Sequence, residues 1–169
     1  IISQSLFPAI IKSRNLSAIK YERRMQRLYD LLTLISVSIA IIFTFFSDFI
    51  VVKAFGDEFI KSGDILSIHI WAGIFVFYGT ARGKWIIVEN LQKKVIFIHL
   101  ASTILNILFN LILIPIYGGL GAAIATLFSY ALSCISTGIL IKEFRRQLWL
   151  FFVSLYNCFT LISIKRLLS

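Results

Sequence analysis

Apolar runs separated by short charged segments extend along most of the chain. About 20 mostly apolar residues in a helix cross the hydrocarbon core of a bilayer. Four segments meet or approach that length, at 31–52, 65–88, 95–116 and 120–141. A shorter run at 148–164 has basic residues at both ends, so it either crosses the bilayer or lies in its interface. The pattern predicts an all-α fold, a polytopic bundle of transmembrane helices.

The start of the sequence fits the same pattern. Residues 1–11 are predicted to be the end of a preceding transmembrane helix, stopped near Pro8 because proline has no amide donor. The sequence begins at Ile1 without an initiator Met, and it shows no signal peptide. We therefore expect the C-terminal fragment of a longer protein.

Composition strengthens the membrane interpretation. Hydrophobic residues make up 59% of the chain and charged residues 15%, with a mean hydropathy of +0.90. Soluble domains are usually about 45–50% apolar and about 25% charged. A chain of this size cannot bury so much apolar surface by itself. A soluble globular domain and a water-soluble enzyme are therefore excluded.

The positive charges give the bundle an orientation. The net charge is +9, and Lys and Arg cluster between alternate apolar runs. The positive-inside rule then places residues 12–30, 89–94 and 142–147 in the cytoplasm, and residues 53–63 and 117–120 outside. Anionic membrane lipids are the expected partner of these charges. Nucleic acid is not an expected partner, because the cations lie between apolar runs, as the loop charges of membrane proteins do.

The basic cytoplasmic segment at 12–30 is amphipathic. From residue 15 to residue 32, helical spacing separates an apolar face from a basic face. The apolar face contains Tyr21, Met25, Leu28, Tyr29 and Leu32, and the basic face contains Lys20, Arg23, Arg24 and Arg27. Such a helix is suited to lie on an anionic leaflet. The alternative is a solvated charged loop.

The segment at 65–88 contains two cations near its end. One helical face carries His69, Gly73, Thr80 and Lys84, and another carries Arg82 with Trp71, Tyr78 and Trp85. If the helix ends near Ala81, Arg82 and Lys84 only extend to the headgroups. If it continues through Val88, both cations lie in the cytoplasmic leaflet and need an anionic partner such as a diphosphate. Arg82, Lys84 and His69 are therefore candidate substrate-binding residues.

The segment at 95–116 carries a polar stripe. His99, Thr103, Asn106 and Asn110 recur at helical spacing. Amides in hydrocarbon need partners or water. One interpretation is that the stripe pairs with a neighbouring helix, and the other is that it lines a transport cavity. Under the second interpretation, Asn106 and Asn110 bind substrate.

The segment at 120–141 carries a stripe of small residues. Gly121, Ala125, Ser129, Ser133 and Thr137 recur every four residues. Small side chains let a second helix approach closely. This stripe predicts helix packing and not a binding site.

No pattern indicates catalysis. His69 and His99 lie on different predicted helices with no nucleophile at a recognisable spacing, and Cys134 and Cys158 are isolated in apolar stretches. The glycine-rich turn at 118–121 follows no strand and lacks the lysine of a phosphate loop. We therefore expect no catalytic residues, no cofactor and no metal site.

A longer pattern resembles a known family. It comprises Leu6-Phe7-Pro8 before a basic stretch, Phe55-Gly56-Asp57-Glu58-Phe59 followed by Ser62, and the run NILFNLILIPIYGGLGAAIAT from Asn106 to Thr126. Residues from about 5 to 141 are similar to the C-terminal portion of the polysaccharide and O-antigen repeat-unit flippases (Wzx-like) of the MOP, or MATE-like, transporter superfamily. The run from Asn106 to Thr126 is the most specific part.

The resemblance implies a two-lobed helical transporter in the bacterial cytoplasmic (inner) membrane, of which this chain is part of the second lobe. Its substrate would be a polyprenyl-diphosphate-linked oligosaccharide, and the missing N-terminal lobe would complete the cavity. Cations lining that cavity would bind the diphosphate, and Arg82 and Lys84 match by position. The run at 148–164 extends past the last helix expected for the family.

Two other functions are compatible with the sequence. A membrane-embedded polysaccharide polymerase or ligase would carry a large outer loop, whereas the outer segments here have about a dozen residues or fewer. A MATE-type drug exporter would carry carboxylates buried within spans, and Asp48 is the nearest to that description.

Overall fold

The computed structural model describes residue 8, residue 10, residues 12–14 and residues 16–160. From Ser17 to Thr160 the chain forms six α-helices and no strand, so the predicted all-α fold is confirmed. The helices are α1 (Ala18–Phe55), α2 (Ser62–His69), α3 (Ala72–Val88), α4 (Gln92–Tyr117), α5 (Gly119–Leu140) and α6 (Arg145–Phe159). The 3₁₀ turns Asp57–Phe59 and Lys142–Phe144 lie before α2 and α6.

Four helical segments in the described part of the chain are long and apolar enough to cross a membrane. They are α1, α2 together with α3, α4 and α5. The protein is therefore a multi-pass membrane protein. Helix α6 has 15 residues, about 22 Å at 1.5 Å per residue, and is shorter than a hydrocarbon core of about 30 Å. Most of the predicted helix end at 1–11, and the end of the predicted run 148–164, lie outside the described residues.

Helix α1 is continuous across the expected boundary between the basic segment at 12–30 and the span at 31–52. It has 38 residues and is therefore about 57 Å long. It ends at Gly56, whose φ of 101° favours glycine, and the Gly56 amide donates to the Val52 carbonyl at 2.9 Å. From residue 18 onward, the basic segment is thus the first part of a spanning helix.

The apolar face of this first part packs against protein. Met25, Leu28, Tyr29 and Leu32 are buried, whereas the four cations of the opposite face are exposed. Helix α6 covers the apolar face, and Tyr29 stacks on Tyr78 of α3 with ring centroids 5.6 Å apart. The amphipathic pattern predicts a helix, which the structure contains, and the apolar face of that helix packs against protein.

The segment predicted as one helix at 65–88 is divided at Ile70 and Trp71. Around this break, amides of Trp71, Gly73 and Ile74 donate to carbonyls three residues earlier, which tightens the backbone. The Trp71 Nε1 donates to Thr44 Oγ1 of α1 at 3.0 Å. The break is therefore fixed to α1, and α3 continues beyond it to Val88.

Helices α4 and α5 pack along the small-residue stripe, as predicted. Gly121, Ala125, Ser129 and Thr137 are buried. A Cβ added at Gly121 would lie 2.2 Å from the Leu113 carbonyl oxygen of α4, so only glycine fits there. The two helices approach closely because this stripe has no bulky side chains.

Replacing Ala125 with leucine tests this packing. Ala125 is fully buried, so the larger side chain must push helices apart, and we expect stability to fall by about 1–3 kcal/mol. The measurement is equilibrium unfolding in mixed micelles of neutral detergent and SDS. The control is Ala101→Leu on the exposed face of α4, which should leave stability unchanged. Equal effects of the two changes would contradict the prediction.

Ion pairs in the described part of the chain join the three basic segments at one end of the bundle. They connect Arg14 with Glu89 at 2.8 Å, Arg146 with Glu22 at 2.8 Å, and Lys94 with Glu143. The hydrogen bond from Lys94 lowers the pKa of the Glu143 carboxyl from its ordinary value. Segments 12–30, 89–94 and 142–147 therefore lie on the same side of the four spans. This side is called the basic end below.

Candidate functional site

Arg82 lies on α3 and is buried, with 4% of the residue exposed. Because α3 continues to Val88, Arg82 does not sit at a helix end. Among the described residues, its Nε and Nη1 have no hydrogen-bond partner. Burying a charge without a counter-charge costs free energy. The position therefore favours an anionic ligand.

Two aromatic rings flank the Arg82 guanidinium. Its Cζ lies 5.2 Å from the ring centroid of Tyr78 and 5.8 Å from that of Phe144. Cation–π contacts of this kind contribute about 0.5–2 kcal/mol. Tyr78 precedes Arg82 by one turn, on the face that the sequence predicted, whereas Phe144 comes from the turn Lys142–Phe144. The rings stabilise the cation without neutralising it.

Further aromatic contacts fix these two rings. Tyr78 packs between Tyr29 of α1 and Phe151 of α6, the second at a centroid distance of 4.4 Å. Phe144 meets Trp85 edge-on at 5.0 Å. Helices α1, α3 and α6 therefore all contribute to the surroundings of Arg82. The sequence interpretation missed Phe144 and Phe151, because both lie more than 60 positions from Arg82.

A cavity of about 250 Å³ opens beside the guanidinium between α3, α4 and α5. Its lining residues are Phe75, Val76, Tyr78, Gly79, Arg82, His99, Ser102, Thr103, Tyr130, Ser133 and Cys134. No carboxylate is among the described residues of this lining. One cation, an imidazole and several hydroxyl groups therefore converge on one space. Such a set of donors suits phosphate or carboxylate oxygens.

Lys84, the second predicted cation, is separated from this cavity. Two positions along α3 turn a side chain by about 200° around the helix. Lys84 is partly exposed and is not part of the described cavity lining. The structure therefore brings Arg82 and His99 together and leaves Lys84 on another face.

Asn106 and Asn110 of α4 find hydrogen-bond partners on α4 and α5. Asn106 Nδ2 donates to Ser129 Oγ of α5 at 3.3 Å. Asn110 Nδ2 donates to the backbone oxygen and Oδ1 of Asn106, at 2.8 and 3.2 Å. Neither belongs to the described lining of the Arg82 cavity. Their geometry fits the helix-pairing interpretation, although Thr103 and His99 of the same stripe do line the cavity.

His69 lies at the opposite end of the bundle from the basic end. It lines a separate space of about 390 Å³, together with Val51, Phe55, Phe59, Ser62, Ile65 and Leu66. This surrounding is almost wholly apolar and contains no Lys, Arg, Asp or Glu among the described residues. The structure therefore does not bring His69 to Arg82.

The sequence interpretation also missed a buried polar cluster between α1 and α6. The fully buried Asp30 accepts hydrogen bonds at Oδ1 from Gln26 Nε2 at 2.7 Å and Asn157 Nδ2 at 3.3 Å. Thr33 and Ser154 join their hydroxyls at 2.8 Å. The signal was present, because polar residues recur at helical spacing on both segments.

Comparisons with known proteins add no relative. No family model matches the sequence, and no curated protein or solved structure matches it either.

Proposed function

We propose that this chain is part of a flippase that moves a polyprenyl-diphosphate-linked oligosaccharide, an O-antigen or other polysaccharide repeat unit, across the bacterial cytoplasmic membrane. In this proposal, Arg82 binds the diphosphate. The observation that carries it is the enclosed guanidinium beside a cavity whose described lining contains no carboxylate. The resemblance noted in the sequence supplies the class of transporter.

The chemistry of the cavity suits a diphosphate. Arginine presents several N–H donors in a planar fork that matches phosphate oxygens, and it stays charged at any physiological pH. Hydroxyls of Tyr130 and Ser133 line the same space and can donate to the remaining oxygens. The burial of Arg82 strengthens the charge-assisted bonds that its guanidinium makes, because the local dielectric constant is low.

The depth of Arg82 agrees with this ligand. Arg82 precedes Val88, the last residue of α3, by six residues, or about 9 Å along the axis. Val88 lies at the basic end, where the headgroups of the cytoplasmic leaflet are expected. The diphosphate of a polyprenyl lipid occupies the same layer, with its polyprenyl chain in the hydrocarbon.

The described cavity is large enough for the charged group only. A volume of about 250 Å³ is at or below the lower end of ordinary ligand sites. The oligosaccharide therefore needs further walls, which we expect from the missing N-terminal lobe. Alternating access by two such lobes around one central site is common among transporters with internal repeats.

Substitutions at Arg82 test the proposal. In the full-length protein, Arg82→Ala should reduce translocation about tenfold to a hundredfold, since a hydrogen bond to a charged group contributes about 1.5–3 kcal/mol. Arg82→Lys should restore part of the activity, because the charge remains and the fork is lost. The measurement is restoration of surface polysaccharide in a flippase-deficient strain, normalised to membrane protein level.

Lys84→Ala is the matched control for this experiment. It removes a cation two positions away that faces away from the cavity, so near-normal translocation is expected. Full activity of Arg82→Ala, or equal losses in the two alanine variants, would contradict the role assigned to Arg82.

A second candidate, a cation-coupled exporter of the same superfamily, is favoured by Asp30. This carboxylate is fully buried in the spanning helix α1, which is what such an exporter requires. Its Oδ1 nevertheless accepts amide donors from Gln26 and Asn157. That pairing is typical of a link between helices, so the flippase is placed first.

A further inference from the structure

At the basic end, a groove of about 470 Å³ lies between the first turns of α1 and the start of α6. It is lined by Ile19, Glu22, Arg23, Gln26, Arg27, Arg146 and Leu150. None of these residues lines the Arg82 cavity. This groove, called the arginine groove below, is therefore a separate feature of the molecule.

The arginine groove carries uncompensated positive charge. Its single described carboxylate, Glu22, already pairs with Arg146 at 2.8 Å. Within the described part of the chain, neither Arg23 nor Arg27 has an ion-pair partner. Two guanidinium groups one helical turn apart repel each other. An anion between them removes this repulsion and matches their fork geometry.

The groove lies at the depth of lipid headgroups. Arg27 precedes the apolar run that begins at Leu31 by four residues, or about 6 Å along α1. The headgroup layer on each side of a bilayer is about 5–8 Å thick. Ile19, at the outer edge, is 72% exposed and offers an apolar contact beside the charges. A soluble anion has no apolar chain that could pack against Ile19.

We propose that the arginine groove is a binding site for one anionic phospholipid of the cytoplasmic leaflet, with Arg23 and Arg27 holding its phosphate. The buried Gln26 forms the floor, where its amide donates to Asp30 and to the Leu150 carbonyl. Those hydrogen bonds join α1 to α6. The bound lipid therefore contacts both helices at their junction and stabilises the packing of α6 on α1.

The experiment is a native mass spectrometry titration of the purified chain with phosphatidylglycerol in ammonium acetate of about 0.15 M, where the Debye length is about 8 Å. Replacing both Arg23 and Arg27 with glutamine should weaken binding about tenfold to thirtyfold, because each cation contributes about fivefold to the affinity. The control is Lys20→Gln with Arg24→Gln, which removes equal charge from exposed positions of the same helix outside the groove lining. The control pair should lose less than about threefold.

Three further results would overturn the proposal. Equal losses in the two double variants would mean that the lipid responds to overall charge and not to the groove. Equal affinity for phosphatidylcholine would remove the need for an anionic lipid. Equal affinity for soluble glycerol phosphate would identify a free phosphate site. If the double variant unfolds, the single variants Arg23→Gln and Arg27→Gln should each lose about fivefold.

Discussion

Replacing Phe144 with alanine should lower the free energy of unfolding by about 3–5 kcal/mol, the usual cost of truncating a buried phenylalanine. Phe144 is fully buried, and its ring meets both Trp85 and the Arg82 guanidinium. Its removal leaves a cavity next to a charge whose Nε and Nη1 already lack hydrogen-bond partners among the described residues. The measurement is equilibrium unfolding in mixed micelles of neutral detergent and SDS.

Two further variants separate the causes of this effect. Phe144→Leu keeps most of the volume but removes the ring, so it should cost less than about 1.5 kcal/mol from packing and about 0.5–2 kcal/mol from the lost cation–π contact. Phe97→Ala removes a ring that is 77% exposed on α4 and should have little effect. If Phe144→Ala cost no more than Phe97→Ala, Phe144 would not support the Arg82 site.

The spanning helices could be predicted because lipid exposure produces a strong local pattern. Helix α4 illustrates this, since Val95 is its one buried residue in the described structure and apolar side chains cover most of the helix outside its polar stripe. The break at Ile70 and Trp71 could not be predicted in the same way. No proline occurs between α2 and α3, and the bond from Trp71 to Thr44 depends on a neighbouring helix.

The burial of the first part of α1 shows the same limit. Periodicity correctly placed Met25, Leu28 and Tyr29 on one apolar face, but a pattern cannot distinguish lipid from protein as the covering material. Here the cover is α6, which begins more than 110 positions later in the chain. The run at 148–164 extends past the last helix expected for the resembled family. In the structure, α6 nevertheless contributes Phe151, whose ring packs beside Tyr78.

For Arg82, a position inside a continuing helix was one of the two alternatives that the sequence left open. Four apolar residues follow it at 85–88, which indicated that the helix continues, and α3 does continue. Asn106 and Asn110 could not be assigned from sequence, because their stripe faces both a partner helix and a cavity. Asn106 donates a hydrogen bond to Ser129 of α5. Thr103 and His99, which precede Asn106 on α4, line the Arg82 cavity.

Replacing Asp30 with alanine is expected to reduce stability by about 2–5 kcal/mol. The change leaves the amide donors of Gln26 and Asn157 without their shared acceptor, and each buried donor without a partner costs about 1–3 kcal/mol. Asp30→Asn keeps the shape and one acceptor oxygen, so it should cost less. Asp57→Ala, in the exposed turn before α2, is the control and should have no effect.

The Asp30 variants also distinguish the two candidate functions. If Asp30 only links α1 to α6, an Asp30→Asn variant of the proposed flippase should translocate the lipid-linked substrate normally once protein level is matched. If a cation binds Asp30 during transport, the same variant should fold well and lose activity, because the negative charge is gone while the packing is preserved. We expect the first result, since Oδ1 is held by two amides in a cluster that the Thr33–Ser154 hydrogen bond extends. A stable but inactive Asp30→Asn protein would instead favour the cation-coupled exporter.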